Sequence, residues 1–588
     1  MRCLRLPIVL FWLCLLLPAS SREPVTAVVV VEGLTWQQVE QGTDGALYVM
    51  ARHGAAGMIS VATDGDARVR FALTLQTGKR YRPLRDAGLM DALADAGVRV
   101  TVHHEPPDEP PVLPLRLPSE SSRPEASMQI WWIRAQPGDI SRALEKAIGA
   151  LNPERDRVLI VGLPLKGERL APVIAAGSGL STGVLTSDTT QTLGLISDED
   201  LFPTLLHWHG IAPRQGQHPI RVVRDDNGFV TVQALWRRSV WNARGLIPVG
   251  VLQVGGGLLA VLWALRRLQQ RAASRRADLL LSVAIGSLLS LPAGTVLAPH
   301  LPASTLWQYV GAIVLSAAWL SLLAHWGAWH EPFRAYIRAC ALSAVVVMVD
   351  GVAGQHGVRL SIYSAYSLTG IRFYGIGNEL MGVLVGCALA WGLYGLPAFL
   401  RGALWLGVAV VLANPAWGAN LGGLLTAMVG LGSAWEANRV HGKRLAGRVM
   451  GWFAAGVAIA GVVMWLDSLR ALPSHLGETW LSWRSEGINA VLDTLLSKLA
   501  LMARVLLSPF AWGVLAVIAV ALYAMHRYGT LSILRNGWHS DMVGWLACMA
   551  TAFLFNDSGF VPAAAILGVG LGATLTRRLE EVYRDSSA

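Results

Sequence analysis

Long apolar segments separated by short polar connections fill the chain from about residue 246 onward. Apolar runs of about 18 or more residues are candidates for membrane-spanning helices. The pattern predicts an all-α, polytopic transmembrane bundle of about 11 helices over residues 246–576, followed by a tail at 577–588. The predicted segments are 246–265, 279–299, 305–326, 335–352, 378–395, 402–413, 418–434, 449–466, 507–525, 541–555 and 560–576.

A different pattern precedes this bundle. Residues 1–21 carry Arg2 and Arg5, then an apolar stretch, then small residues, which is the order of a secretory signal peptide or of an uncleaved signal anchor. Residues 25–235 alternate strand and helix patterns, which predicts an exported α/β domain with a mostly parallel sheet.

Within the α/β domain, Thr26–Val31 is a continuous apolar and β-branched run, as expected for a strand buried on both faces. Ligands of parallel sheets bind at the carboxyl ends of the strands, which directs attention to Glu32 and Asp188. Further strands are predicted in VRVTVH, MQIWWIRA, RVLIVGL and GVLTS, and helices around 36–53, 86–96 and 141–151.

The composition agrees with a membrane protein, because 53% of the residues are hydrophobic and only 15% are charged. The formal charge of +10 does not predict a nucleic-acid partner, because the basic residues cluster between apolar segments and form no basic stripe with interleaved aromatics. The α/β domain has no cysteine, which excludes a disulfide or a thiol nucleophile there.

The charge of the connections predicts the topology. RRLQQRAASRR (residues 266–276) carries five arginines, and basic connections face the cytoplasm. The later alternate connections are basic as well, so we predict a multi-pass protein of the bacterial cytoplasmic (inner) membrane with an extracytoplasmic N-terminal domain and a cytoplasmic C-terminus. These connections contain Arg334, Arg338, Arg401, Arg439, Lys443, Arg444, Arg448, Arg527, Arg535, Arg577 and Arg578.

Three polar loops, GIRFYGIGNEL, NPAWGAN and NDSG, then fall on the outer side, as does a predicted amphipathic helix near residues 488–502. Ionisable residues at membrane depth are costly and mark functional sites. Turns and helix caps are the alternative, since Asn, Asp and Gly dominate both. The predicted catalytic residues are Glu379, Asp557 and Arg372, and the predicted substrate-binding residues are Arg359, Asn378, Asn420 and Asn556.

The successive stretches VVVVEGLTW, GAAGMISVAT and LTLQTGKR, together with the segment from Thr186 to Pro213, resemble the alkaline phosphatase superfamily. The resemblance implies a hydrolase or transferase in which two divalent cations clamp the reacting oxygens. The implied metal ligands are Glu32 and Asp188. The position of the family's nucleophile falls at Asp66, which has no hydroxyl, and the expected histidine is absent beside Asp188, so a degenerate domain is favoured.

The order of domains also resembles that of a group of bacterial envelope proteins in which a phosphatase-like domain precedes a multi-span bundle, a resemblance that names no reaction. The sequence predicts a protein that handles a lipid-linked or phosphorylated envelope substrate at the outer face of the bundle, with the bilayer and lipid-linked intermediates as partners. Alternatives are a transporter of a lipid or polyprenyl phosphate, an active metal-dependent phosphoesterase or phosphotransferase, and a non-catalytic assembly scaffold.

Overall fold

The computed structural model describes most of the chain as two compact units. One consists of the described residues up to Ser239 together with Phe373, and the other begins at Val240. The predicted signal segment and Arg372 lie outside the described residues. The described ranges are 24–41, 45–61, 66–78, 88–105, 126–134, 140–164, 170–213, 216–270, 275–364, 373–437, 439–470, 473–527 and 539–587.

The first unit contains a nine-stranded mixed sheet. Its strands run in the order β3-β4-β1-β5-β6-β2-β7-β9, with β8 pairing to β2. The apolar run predicted as a buried strand is β1, whose Val28, Val29, Val30 and Val31 are fully buried. The strands are β1 Val25–Glu32, β2 Ala55–Ser60, β3 Val98–Glu105, β4 Ala126–Ile133, β5 Arg157–Leu163, β6 Leu170–Gly177, β7 Gly183–Thr186, β8 Leu195–Ser197 and β9 Arg221–Arg224.

Antiparallel pairs make the sheet more mixed than predicted. β1 is parallel to β4 and β5, but β6 is antiparallel to both β5 and β2, and β9 is antiparallel to β7. The short connection between β5 and β6 explains the first reversal, because parallel neighbours need a crossover of a dozen or more residues.

The helices of the first unit are short and include the predicted helical regions. The region around residues 36–53 divides into two helices, and α4 and α5 begin within a few residues of the predicted 86–96 and 141–151 regions, whereas α3 and α6 lie outside the predicted helical regions. They are α1 Trp36–Glu40, α2 Gly45–His53, α3 Ala67–Thr77, α4 Leu89–Asp95, α5 Ile140–Ile148 and α6 Leu201–Trp208.

Among the described residues of the second unit, all regular secondary structure is helical. Its first helix, α7, begins before Ser239 and continues into this unit. The helices are α7 Gly228–Gln270, α8 Arg275–Leu297, α9 Leu306–His325, α10 Pro332–Val352, α11 His356–Leu360, α12 Asn378–Gly395, α13 Ala398–Ala413, α14 Leu421–Ala437, α15 Gly442–Ser468, α16 His475–Glu486, α17 Ile488–Leu506, α18 Pro509–Arg527, α19 His539–Phe555 and α20 Phe560–Ser587.

Six helices among the described residues are long and apolar enough to cross a membrane, so the chain has the helices of a membrane protein. A seventh span results if the bent pair Leu499–Leu506 and Ala511–Tyr523, which meet at 63°, counts as one. Other predicted segments form shorter or less apolar helices, such as α13 and α14. The number eleven therefore stays a prediction.

The buried centre of the second unit lies around α12. Nearly all of its residues from Leu380 to Ala390 are inaccessible, because glycines let neighbouring helices approach closely. A Cβ at Gly382 would lie 2.6 Å from the Cα atom of Pro562 in α20. Because α12 is enclosed in this way, it contacts protein rather than lipid. Its own surface therefore need not be apolar throughout.

Candidate functional site

The second polar loop is held by Asn420, the residue directly before α14. Its side-chain oxygen accepts a hydrogen bond from the Gly423 amide at 2.8 Å, which is the role of a helix N-cap. Its Nδ2 donates to the Ile376 carbonyl at 2.9 Å. With only 4% of its surface exposed, Asn420 both caps α14 and joins the second loop to the first.

Asn378 joins the first loop to the other two. As the first residue of α12, it donates from Nδ2 to the Ser558 hydroxyl at 2.9 Å. Its Oδ1 accepts from the Asn420 amide at 3.4 Å. Three loops that are far apart in the sequence therefore meet through two predicted binding residues.

Asn556 anchors the third loop. Its Nδ2 donates to the Ala552 carbonyl at 2.9 Å and to the Thr426 hydroxyl at 3.3 Å. Its side chain lies against Gly422, where a Cβ would also come within 2.6 Å of the Phe555 carbonyl. Gly422 is therefore required for the close approach of α14 to this loop.

Gln355 is a further residue of this network, and sequence reasoning missed it. Its side chain donates to the Ala416 carbonyl at 2.6 Å and accepts from the Gly375 amide at 2.6 Å. It is fully buried and has a positive φ of 64°, a conformation that is uncommon for a residue with a side chain. A single glutamine in a turn gives no periodic signal, so the sequence pattern could not have indicated this role.

Asp350 lies in the last turn of α10 and stabilises the turn that follows the helix. Its carboxylate accepts from the backbone amides of Gly357 and Val358 at 2.9 and 2.7 Å. The same carboxylate lies 3.4 Å from the His300 ring nitrogen. These contacts orient α11, which carries Arg359.

Arg359 supplies a half-buried cation near the first loop. Burial lowers the pKa of its guanidinium, while nearby Tyr374 and Asp350 raise it. Tyr374 accepts a hydrogen bond from the His475 amide at 3.1 Å. The start of α16 therefore also lies at this end of the second unit.

The two acidic residues that were predicted to be catalytic lie next to the bonded pair Asn378 and Ser558, since Glu379 follows Asn378 and Asp557 precedes Ser558. Glu379 is the second residue of α12 and is half-buried. Burial raises the pKa of Tyr363, and the Glu379 carboxylate raises it further, which indicates that the two side chains are close. Asp557 is partly exposed in the turn before α20, whereas Arg372 lies outside the described residues.

Three helices begin at this network. The starts of α12, α14 and α20 are Asn378, Leu421 and Phe560. Helix N-termini carry a partial positive charge and backbone amide donors. Together with Arg359, they make this end of the second unit suited to an anionic ligand that also carries hydrogen-bonding groups.

The predicted metal ligands of the first unit are engaged by other side chains. Glu32 accepts hydrogen bonds from the Trp132 indole at 2.8 Å and from Arg134 at 3.0 Å. Asp188 forms an ion pair with Arg221. Cations beside both carboxylates oppose metal binding, and no three His, Cys, Asp or Glu side chains in the described ranges could hold an ion together. These residues do not fit a centre of two divalent cations.

Other positions singled out by the phosphatase resemblance have structural contacts. Asp66 caps α3 and accepts from the Arg68 amide at 3.0 Å. Asp200 accepts from the Ser197 amide at 2.7 Å, and the Thr204 hydroxyl accepts from the Ile220 amide at 2.8 Å. The segment from Thr186 to Pro213 therefore links β8, α6 and the residues before β9.

Comparison with protein-family models, with curated proteins and with solved structures yields no match. The resemblance to the alkaline phosphatase superfamily stays a prediction from the order of its motifs.

Proposed function

We propose that the protein is an envelope membrane protein that binds a phosphorylated or lipid-linked substrate where its three polar loops meet. The observation that carries this proposal is the pair of hydrogen bonds from Asn378 to Ser558 and from Asn420 to Asn378. These bonds link segments that lie 180 and 42 residues apart in the sequence, and they hold the three polar loops together at one place in the second unit.

The chemistry around these loops favours a phosphate-bearing ligand. Three helix N-termini and Arg359 favour negative charge, while the asparagine amides supply hydrogen-bonding groups. Glu379 is the residue in this region that we assign as an acid or base, because a partly buried carboxylate is suited to proton transfer. A polyprenyl phosphate satisfies both the charge and the membrane setting.

For the first unit we propose a phosphatase-like fold that binds a phosphate ester without hydrolysing it. The contacts of Glu32 with Trp132 and Arg134 support this proposal, because a carboxylate already paired with a guanidinium is a poor ligand for a divalent cation. Metal analysis of the full-length protein tests it, and stoichiometric Zn, Mn or Mg with phosphate-ester turnover would overturn it.

The loop site is tested by the binding of a radiolabelled polyprenyl phosphate to full-length protein in nanodiscs. We expect Arg359→Gln and Asn378→Ala each to weaken binding by about tenfold, since a hydrogen bond to a charged group contributes roughly 1.5–3 kcal/mol. Glu379→Gln should retain binding and abolish any turnover. If the Glu379→Gln protein binds and no turnover exists in the wild type, transport is the remaining activity.

The matched control is Asn489→Ala, which removes an exposed amide from α17 in the same unit. We expect it to bind like the wild type. Equal binding by Arg359→Gln, Asn378→Ala and this control would contradict the loop site and leave the scaffold function.

A further inference from the structure

The first turns of α15 form a basic surface. Lys443, Arg444 and Arg448 are all exposed, and none of them forms an ion pair with an acidic side chain in the described parts of the chain. Just before the helix, the Arg439 guanidinium lies 4.4 Å from the centre of the Trp435 ring. Four cations thus surround one helix start.

Below this basic surface, α15 is apolar and open. Residues 449–466 include no ionisable side chain, and only 17% of the most apolar stretch of the helix is buried. Met450, Val457 and Val462 expose 60%, 47% and 52% of their surface. The helix therefore presents hydrocarbon-compatible surface directly beneath exposed positive charge.

The charge and the apolar surface share one helix face. Arg444 and Arg448 are four residues apart, and Gly451, Ala455 and Ala458 continue the same line at helical spacing. All five positions are exposed. A ligand lying along this face would meet two guanidinium groups at one end and apolar atoms along the rest of its length.

We propose that this face of α15 is a binding site for an anionic phospholipid. Its phosphate would pair with Arg444 and Arg448, because guanidinium groups match phosphate oxygens in geometry and charge. One acyl chain would lie along Gly451, Ala455 and Ala458. This surface is separate from the three-loop site, so its test is independent of the proposed substrate.

Charge also decides against a second copy of the chain on this face. Two parallel α15 helices packed through Gly451, Ala455 and Ala458 would bring Arg444 and Arg448 of both copies together. Like charges in such proximity oppose association. An anionic headgroup neutralises the same pair, so charge complementarity favours the lipid.

The test is lipid binding to the delipidated full-length protein by native mass spectrometry. Phosphatidylglycerol and phosphatidylcholine with identical acyl chains are the two probes. We expect phosphatidylglycerol to bind about tenfold more tightly, because its net negative charge is attracted to the two guanidinium groups, whereas phosphatidylcholine carries no net charge. R444Q/R448Q should remove this preference, whereas R444K/R448K, which preserves the charge, should retain most of it.

The matched control is R266Q/R276Q, which removes two exposed arginines from α7 and α8. It should keep the preference for phosphatidylglycerol. An equal loss in this control, an absence of preference in the wild type, or competition by free glycerol 3-phosphate would overturn the proposal. So would a change from dimer to monomer in R444Q/R448Q, since that result would identify a second copy as the occupant.

Discussion

Asp200 is a fully buried carboxylic acid in the first unit, at the junction of β8 and α6. Burial raises its pKa to about 7, although hydrogen bonds from Ser187, Thr189 and the Ser197 amide act in the opposite direction. The Thr189 hydroxyl lies 2.5 Å from the carboxyl group. The acid therefore carries its proton in the folded state at a pH where an exposed aspartate is ionised.

This pKa predicts a defined pH dependence. The folded pKa is about 7 and the ordinary value is 3.8, so the stabilising effect of the protonated acid is complete below pH 3.8 and is lost as the pH rises through 7. Asp200→Asn should remove this loss. Hydrogen exchange of residues 195–208 in the full-length protein, measured between pH 4 and pH 8, provides the readout.

Asp66→Asn is the control for that experiment. The side-chain hydrogen bond to Arg68 lowers the pKa of Asp66. The stability that ionised Asp66 contributes is therefore lost in acid, as the pH falls below the ordinary value, and not between pH 4 and 7. Unchanged pH dependence in Asp200→Asn would show that another group accounts for the loss.

The helices α14 and α19 approach each other closely at Gly430. A Cβ added there would lie 2.8 Å from the Cα atom of Cys548, a distance that backbone atoms cannot relieve without moving a helix. Small residues at such contacts are a common means of helix association in membranes.

Gly430→Ala should therefore lower the melting temperature of the full-length protein. Overpacking costs roughly 1–3 kcal/mol and exceeds the gain of about 1 kcal/mol that alanine brings to a helix. Gly311→Ala is the control, because a Cβ added at Gly311 in α9 meets no atom within 4 Å. This variant should leave the melting temperature unchanged or raise it. Intrinsic tryptophan fluorescence during heating distinguishes the two, and equal melting temperatures would contradict the packing argument.

The elements that the sequence predicted well are those with a strong pattern. The β-branched run of β1 and the apolar segments behind α8, α9 and α10 were found in place. β6, whose sequence is LAPVIAAG, was missed because alanine, glycine and proline carry little strand preference. Asn378, Asn420 and Asn556 were predicted as substrate-binding residues of the polar loops, and that role stays a prediction. No local pattern could show that Gln355 holds two of those loops together.

At the scale of the whole molecule, the arrangement of the loops leads to a prediction about sidedness. The charge pattern predicts that the connection at Ser304 faces outward and that the basic turn near Ala446 faces the cytoplasm. Both residues are exposed, and the cysteines at 340, 387 and 548 are buried, so each position can carry a reporter cysteine.

Ser304→Cys should react with a membrane-impermeant maleimide in intact spheroplasts. Ala446→Cys should react only after permeabilisation, because positive connections remain on the cytoplasmic side. The wild-type chain measures the background labelling. Labelling of both variants, or of Ala446→Cys alone, in intact spheroplasts would contradict the predicted topology.

The hydrogen bond from Asn378 to Ser558 has a consequence for biosynthesis. The two residues are 180 positions apart, and Ser558 lies in the turn that leads into α20. While the ribosome is still translating the middle helices, Asn378 and Asn420 are already made but their third partner does not exist. A product terminated before Asn556 would contain the first two loops and lack the third, so the three-loop site is assembled only after translation has passed Ser558.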